Sequence, residues 1–245
     1  MRGILVILLL SGLAASASAT GRPIEYEVDG ARYQGYFTSA SNDAPLVLMI
    51  HDWDGLTDYE VKRAEMLKAL GYSVFAADLF GTGVRPTAIE DKKELTGQLY
   101  GDRERMRKLL NGAAAAAKAQ GGNIGNAVTV GYCFGGAVTL EHARSGAPMK
   151  GFVSFHGGLT TPDGQDYSQT QGKLLVLHGT ADAAVSMQDF ADLAIELEQA
   201  KVPHEMITYS GAPHAFTVFG SERYRKDADE KSWRRFTEYL AETLE

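Results

Sequence analysis

The sequence predicts an α/β fold in which a mostly parallel central sheet is flanked by helices on both faces. Three observations lead there. Strand-like and helix-like segments alternate along the chain without an internal repeat. Pro45–Ile50 and Leu174–Leu177 are unbroken apolar runs, as expected of strands covered on both faces. Ala127–Val130, the turn Gly131-Tyr132-Cys133-Phe134-Gly135-Gly136 and the helix-like stretch 137–144 form a strand–turn–helix unit, the building block of a parallel sheet.

Taken in order, Ile24–Asp29 and Ala31–Phe37 alternate polar and apolar residues around Gly30, which predicts an antiparallel hairpin at a sheet edge. A polar connector, 39–44, leads to the strand Pro45–Ile50. Residues 59–70 place Val61, Ala64, Leu67 and Leu70 on one helical face, and Gly71 ends the helix. Tyr72–Ala77 is the next strand. Residues 83–101 form a connector with a helix over 89–100. A longer helix runs from Asp102, as N-cap, to about Gln120, with Met106, Leu109, Leu110 and Ala113–Ala117 inward and Arg103, Arg105, Arg107 and Lys108 on a solvated face. After the glycine turn come strands at 150–155, 173–177 and 204–209. Between them lie a turn-rich loop to Gly172 and a helix over 186–201. A final amphipathic helix, 227–244, turns Trp233, Phe236, Leu240 and Leu244 inward.

The chain has 245 residues, 44% hydrophobic and 22% charged, enough for one large-cored domain over residues 20–245. A net charge of −7 without a basic stripe argues against nucleic-acid binding. Residues 1–19 read as a secretory signal peptide: Arg2 is the positive start, Ile4–Leu10 the apolar core and Ala17-Ser18-Ala19 the cleavage site. The run is too short to span a bilayer, so no stable membrane insertion is expected after cleavage, and a periplasmic or secreted location follows. Losing Arg2 with the leader takes the charge from −7 to −8. Cys133 is the only cysteine, so an internal disulfide is impossible, and a lone thiol in an exported protein draws notice as a reactive group. The sequence does not fix the oligomeric state; a monomer is favoured.

In open α/β sheets, chemistry collects at the carboxyl ends of the strands. His51, Cys133, His156, Asp182 and His214 each follow an apolar strand closely and so fall on one rim. Gly-x-Cys-x-Gly between a strand and a helix has the form of a nucleophile elbow with cysteine as nucleophile. The helix N-terminus behind it offers free N–H groups and partial positive charge, which favour thiolate, the attacking species. A nucleophile needs a base, and the base an orienting carboxylate. The order nucleophile, acid, histidine of the α/β-hydrolase fold assigns these parts to Cys133, Asp182 and His214. The same fold places oxyanion donors at the backbone N–H groups of Phe134 and Trp53. His51 and His156 are expected to line the pocket. A metal site built from His51, Asp52, Asp54 and His156 matches no ligand spacing, and neither a metal nor a cofactor is expected. A thiol-redox protein lacks a second thiol. A non-catalytic binding module on a hydrolase scaffold is the alternative that the fold alone leaves open.

Gly-Tyr-Cys-Phe-Gly-Gly, Leu-His-Gly-Thr-Ala-Asp, Ala-Pro-His-Ala-Phe and His-Asp-Trp-Asp-Gly-Leu resemble motifs of the dienelactone hydrolase family over nearly all of the chain from Pro45 onward. The resemblance implies a cysteine hydrolase of esters or lactones, acting on a small molecule with Cys133, Asp182 and His214 as triad. It also implies a carboxylate at Asp52 that helps switch the thiol to thiolate, although aspartate is one methylene shorter than the family's glutamate. Its bland counterpart is a cap on the following segment. Where the family's best-known members carry a carboxylate-binding arginine, this chain has Val218. At a substrate-contact position that is usually tyrosine it has His156. The expected substrate is therefore an ester or lactone other than dienelactone itself.

Overall fold

A computed structural model describes residues 21–244. The signal-peptide reading concerns residues 1–19, which lie outside the described residues.

The hairpin strands β1 (Arg22–Val28) and β2 (Ala31–Thr38) are followed by β3 (Pro45–Ile50), α1 (Asp58–Ala69), β4 (Ser73–Ala77), α2 (Ile89–Gly101) and α3 (Arg103–Ala119). The nucleophile unit is β5 (Asn123–Tyr132) and α4 (Phe134–Arg144). After it come β6 (Gly151–Phe155), β7 (Lys173–Gly179), α5 (Met187–Gln199), β8 (His204–Tyr209) and α6 (Lys226–Thr243). The sheet order is β1-β2-β4-β3-β5-β6-β7-β8. β1 and β2 pair antiparallel, as does β2 with β4, and every pairing from β4 to β8 is parallel. The hairpin thus forms one edge, and β3 to β8 all end on the same side.

The apolar runs are covered on both faces. In β3, Leu46, Leu48 and Ile50 join a core with Leu109, Val138 and Leu193 of α3, α4 and α5. Val47 and Met49 join the opposite core with Leu67 of α1 and Phe236 and Leu240 of α6. This is the alternation of a strand, with both sets buried. One expectation is corrected. Arg103 and Arg107 do not belong wholly to solvent: Arg107 Nε donates to the buried Glu141 of α4 at 2.7 Å, and Arg103 Nη1 lies 3.6 Å from the same carboxylate. A buried carboxylate needs charge partners, and α4 brings Glu141 within reach of that helix face.

The turn between β5 and α4 depends on absent side chains. A Cβ on Gly131 would sit 2.0 Å from Gly135 O, and one on Gly135 would sit 2.4 Å from Ile50 O. Backbone cannot yield as a flexible side chain can. Gly131→Ala is therefore expected to destabilise the fold by about 3 kcal/mol, read as a lowered urea midpoint. An unchanged midpoint would show that the turn is loose.

Candidate active site

The elbow holds Cys133 at φ 53°, ψ −113°, outside the regions a non-glycine residue normally occupies. Its N–H donates to Phe155 O at 3.0 Å, fastening the turn to β6, and its carbonyl accepts from Gly136 N at 3.0 Å. Phe134 opens α4, so its N–H is among the first-turn donors that have no partner inside the helix.

Two more loops from the same sheet edge meet the thiol. Asp182 follows β7 and His214 follows β8. His214 Nε2 lies 3.0 Å from Cys133 Sγ, and its Nδ1 lies 2.8 Å from Asp182 Oδ2. A carboxylate only accepts, so Nδ1 carries the proton and Nε2 addresses the sulfur. Asp182 Oδ1 accepts from Ala184 N and Val185 N at 2.8 and 2.9 Å, which fixes the carboxylate from behind. Burial alone would lower the His214 pKa. The hydrogen bonds and charges of Asp182 and Cys133 outweigh it and raise the pKa to about 10. Burial opposes ionisation of Asp182 too, yet its bond and attraction to His214 bring its pKa below the usual value.

A cavity of about 350 Å³ opens over the sulfur. Asp52 and Trp53 of the loop after β3 form one wall, Thr96 and Tyr100 of α2 another, and Val185 and Ala215 a third. Arg223 also lines it, from an exposed position. Tyr100 packs on Phe134 with ring centroids 5.4 Å apart. Lys92 of α2 stands 5.2 Å over the Trp53 ring and is ion-paired with Asp54, tying α2 to the loop.

Asp52 is nearly buried and lines the cavity while its Oδ1 accepts from Asp54 N at 2.7 Å, the capping bond. Burial, then the nearby Asp54 charge, raises its pKa to about 6. Behind it stands a carboxyl that the sequence reading passed over, Glu60, which is fully buried. It completes a capping box with Thr57 and approaches Asp52 N at 3.5 Å. Burial and the charge of Asp52 raise its pKa to about 8. Thr-x-x-Glu at the start of α1 was a readable signal for the cap, though not for its place behind the cavity.

The two pocket histidines are corrected. His51 and His156 are 0% and 1% exposed and are not among the residues lining the cavity. His51 turns toward the loop after β4, where its Nε2 accepts from Leu79 N at 3.1 Å. His156 Nε2 pairs with Thr217 Oγ1 at 2.8 Å, and its ring packs edge-on to His214 at 5.4 Å. Arg63 Nε donates to Tyr59 OH at 3.3 Å, and the Tyr59 and Thr217 hydroxyls, 2.7 Å apart, link it to His156. Full burial lowers the His156 pKa well below the ordinary histidine value, which keeps the ring neutral beside His214. Among the described residues, no cluster of three or more histidine, cysteine or acidic side chains could hold a metal, and no helix is long and apolar enough to cross a membrane.

The chain is similar to known proteins over nearly all of its described length. A sequence model of the dienelactone hydrolase family matches residues 33–244. An Escherichia coli K12 protein named "Putative carboxymethylenebutenolidase" is 23% identical over 256 residues, covering 94% of each chain. A solved dienelactone hydrolase-like promiscuous phosphotriesterase, P91, from metagenomic libraries superposes with a TM-score of 0.85 at 29% identity, covering 92% of this chain and 99% of its own. A structure titled m3DLH gives a TM-score of 0.86, also at 29% identity, covering 92% and 98%.

Proposed function

The chain belongs to the dienelactone hydrolase family and is a lactone or ester hydrolase; from that premise we propose that it works through a Cys133–His214–Asp182 triad and a thioester intermediate. His214 holds the proton taken from Cys133, and the thiolate attacks the carbonyl carbon. The oxyanion is received by the N–H groups of Phe134 and Trp53. His214 then protonates the departing alcohol, leaving the acyl group on sulfur. Water, deprotonated by His214, attacks the thioester, and the acid departs as the thiol re-forms. Asp182 orients the imidazole and stabilises its charged form. The observation that carries the reading is the continuous contact from Asp182 through His214 to Cys133 at 2.8 and 3.0 Å, at the floor of a cavity.

The substrate we propose is an uncharged ester or lactone with an apolar acyl group. Trp53, Tyr100, Phe134 and Val185 line the cavity, and Val218 stands where a carboxylate-binding arginine would be. Asp52, which lines the same cavity as Cys133 and whose pKa is raised by burial and the Asp54 charge, is the carboxylate we assign to the thiol switch. We place the mature enzyme in the periplasm or outside the cell, on the strength of the leader-like start.

The test is a panel of neutral aryl esters, neutral lactones, thioesters and carboxylate-bearing lactones offered to the purified mature chain. Because the 29% identical neighbour is described as a promiscuous phosphotriesterase, a phosphotriester belongs in it. Neutral esters or lactones are expected to give the highest kcat/KM. A clear preference for the carboxylate-bearing lactone would overturn the substrate assignment and point to Arg223.

A further inference from the structure

His51 ends up where neither substrate nor solvent reaches it, and its hydrogen bonds have a consequence for the reaction. Nδ1 lies 2.5 Å from the carbonyl oxygen of Asp52, and Nε2 lies 3.1 Å from the N–H of Leu79. A carbonyl only accepts and an amide N–H only donates. The ring is therefore neutral with its proton on Nδ1, donating at one end and accepting at the other. Full burial lowers its pKa to about 4, so this form persists through neutral pH. The ring sits between Phe80 and Phe134, with centroids 4.6 and 6.0 Å away.

The Asp52–Trp53 peptide inherits its direction from that bond. It is planar and trans, so its C=O and its N–H point opposite ways. The C=O is held by His51 and also accepts from Gly55 N at 3.4 Å. The N–H of Trp53, a residue that lines the cavity, faces away from the buried imidazole. Were the peptide to turn over, a carbonyl oxygen would meet the developing anion in place of a donor.

We propose that His51 is a positioning residue for the oxyanion hole: by anchoring the Asp52 carbonyl it aims the Trp53 N–H at the reacting oxygen. Its ring contact with Phe134 sets that donor against the second one. The close approach of Gly135 to the backbone of Ile50 and His51 brings the two loops together. The inference rests on the reading of Cys133 as nucleophile.

Two reactions of the same thiol separate an oxyanion effect from general damage. Hydrolysis of p-nitrophenyl acetate passes through an oxyanion, whereas alkylation by iodoacetamide displaces iodide and forms none. His51→Leu keeps an apolar ring neighbour but cannot donate. It is expected to lower kcat by about 100-fold, with KM and the alkylation rate within roughly threefold of wild type. His51→Gln, whose amide can donate to the Asp52 carbonyl, is expected to recover most of kcat. Full kcat in His51→Leu, or an equal loss of alkylation, would overturn the proposal. In case the leucine variant does not fold, ¹⁵N-labelled wild-type protein gives an independent reading: His51 should show the Nδ1–H tautomer from about pH 6 to 9, and the Nε2–H tautomer would overturn the proposal. If Cys133→Ala hydrolyses esters at the wild-type rate, the underlying reading fails instead.

Discussion

Replacing Cys133 with alanine is expected to lower kcat/KM on short aryl esters by at least about 10⁴-fold, leaving the folded structure intact. At about 1.4 kcal/mol per factor of ten, that is more than about 5 kcal/mol of lost transition-state stabilisation. The loss is large because Cys133 carries the sulfur that His214 Nε2 addresses at 3.0 Å. In the proposed mechanism the N–H groups of Phe134 and Trp53 remain to receive an oxyanion, so a small residual rate over water is part of the expectation. The fold should tolerate the change. Alanine keeps the Cβ, the elbow's close contacts belong to Gly131 and Gly135, and Cys133 is bound to the fold through its backbone. Ester hydrolysis and thermal unfolding, measured on the same preparation, check both halves.

Asp182→Asn is the second large effect. Asparagine still reaches His214 Nδ1, but it brings no charge and its amide can reverse the hydrogen bond, leaving the imidazole in the wrong tautomer. A drop of about 10³- to 10⁴-fold in kcat/KM is expected. The pH profile supplies the sign. With Asp182 present the imidazolium persists to about pH 10, so the alkaline limb for an alkyl ester, whose leaving group needs that proton, lies near there. Removing the carboxylate removes a raising influence, so the proton leaves at lower pH and the limb moves down toward the ordinary histidine range, near 6.5. A profile with an unmoved alkaline limb would mean that Asp182 does not sustain the charge on His214.

How far the sequence foretold these arrangements depends on whether the governing interaction is local. The strands were legible because both faces of a parallel sheet demand unbroken apolar runs. The elbow was legible because a strand cannot turn that sharply into a helix without glycine. Cys133, Asp182 and His214 could be put on one rim because each follows a strand whose direction the fold class sets, and their spacing in the structure is within hydrogen-bond reach. The same logic put His51 and His156 on that rim, but it carries no information about which way a side chain leaves a strand end. His51 turns to the backbone N–H of Leu79, just past β4, and His156, at φ 39°, turns to Thr217. Those partners are 28 and 61 residues away. The cavity wall formed by Thr96 and Tyr100 was hidden for the same reason. Residues 83–101 read only as a connector with a helix, and nothing in them announces that α2 lies over the thiol. Arg103 and Arg107 looked solvated because the carboxylate that holds them, Glu141, belongs to another helix.

The most direct measurement is intact-protein and peptide mass spectrometry of the purified chain, quenched in acid during turnover of p-nitrophenyl acetate. The account predicts one acetyl group per chain, located on Cys133 and released on a timescale matching turnover, with prior iodoacetamide treatment abolishing both the adduct and hydrolysis. An acetyl group carried by a serine, or undiminished turnover after Cys133 has been fully alkylated, would contradict it.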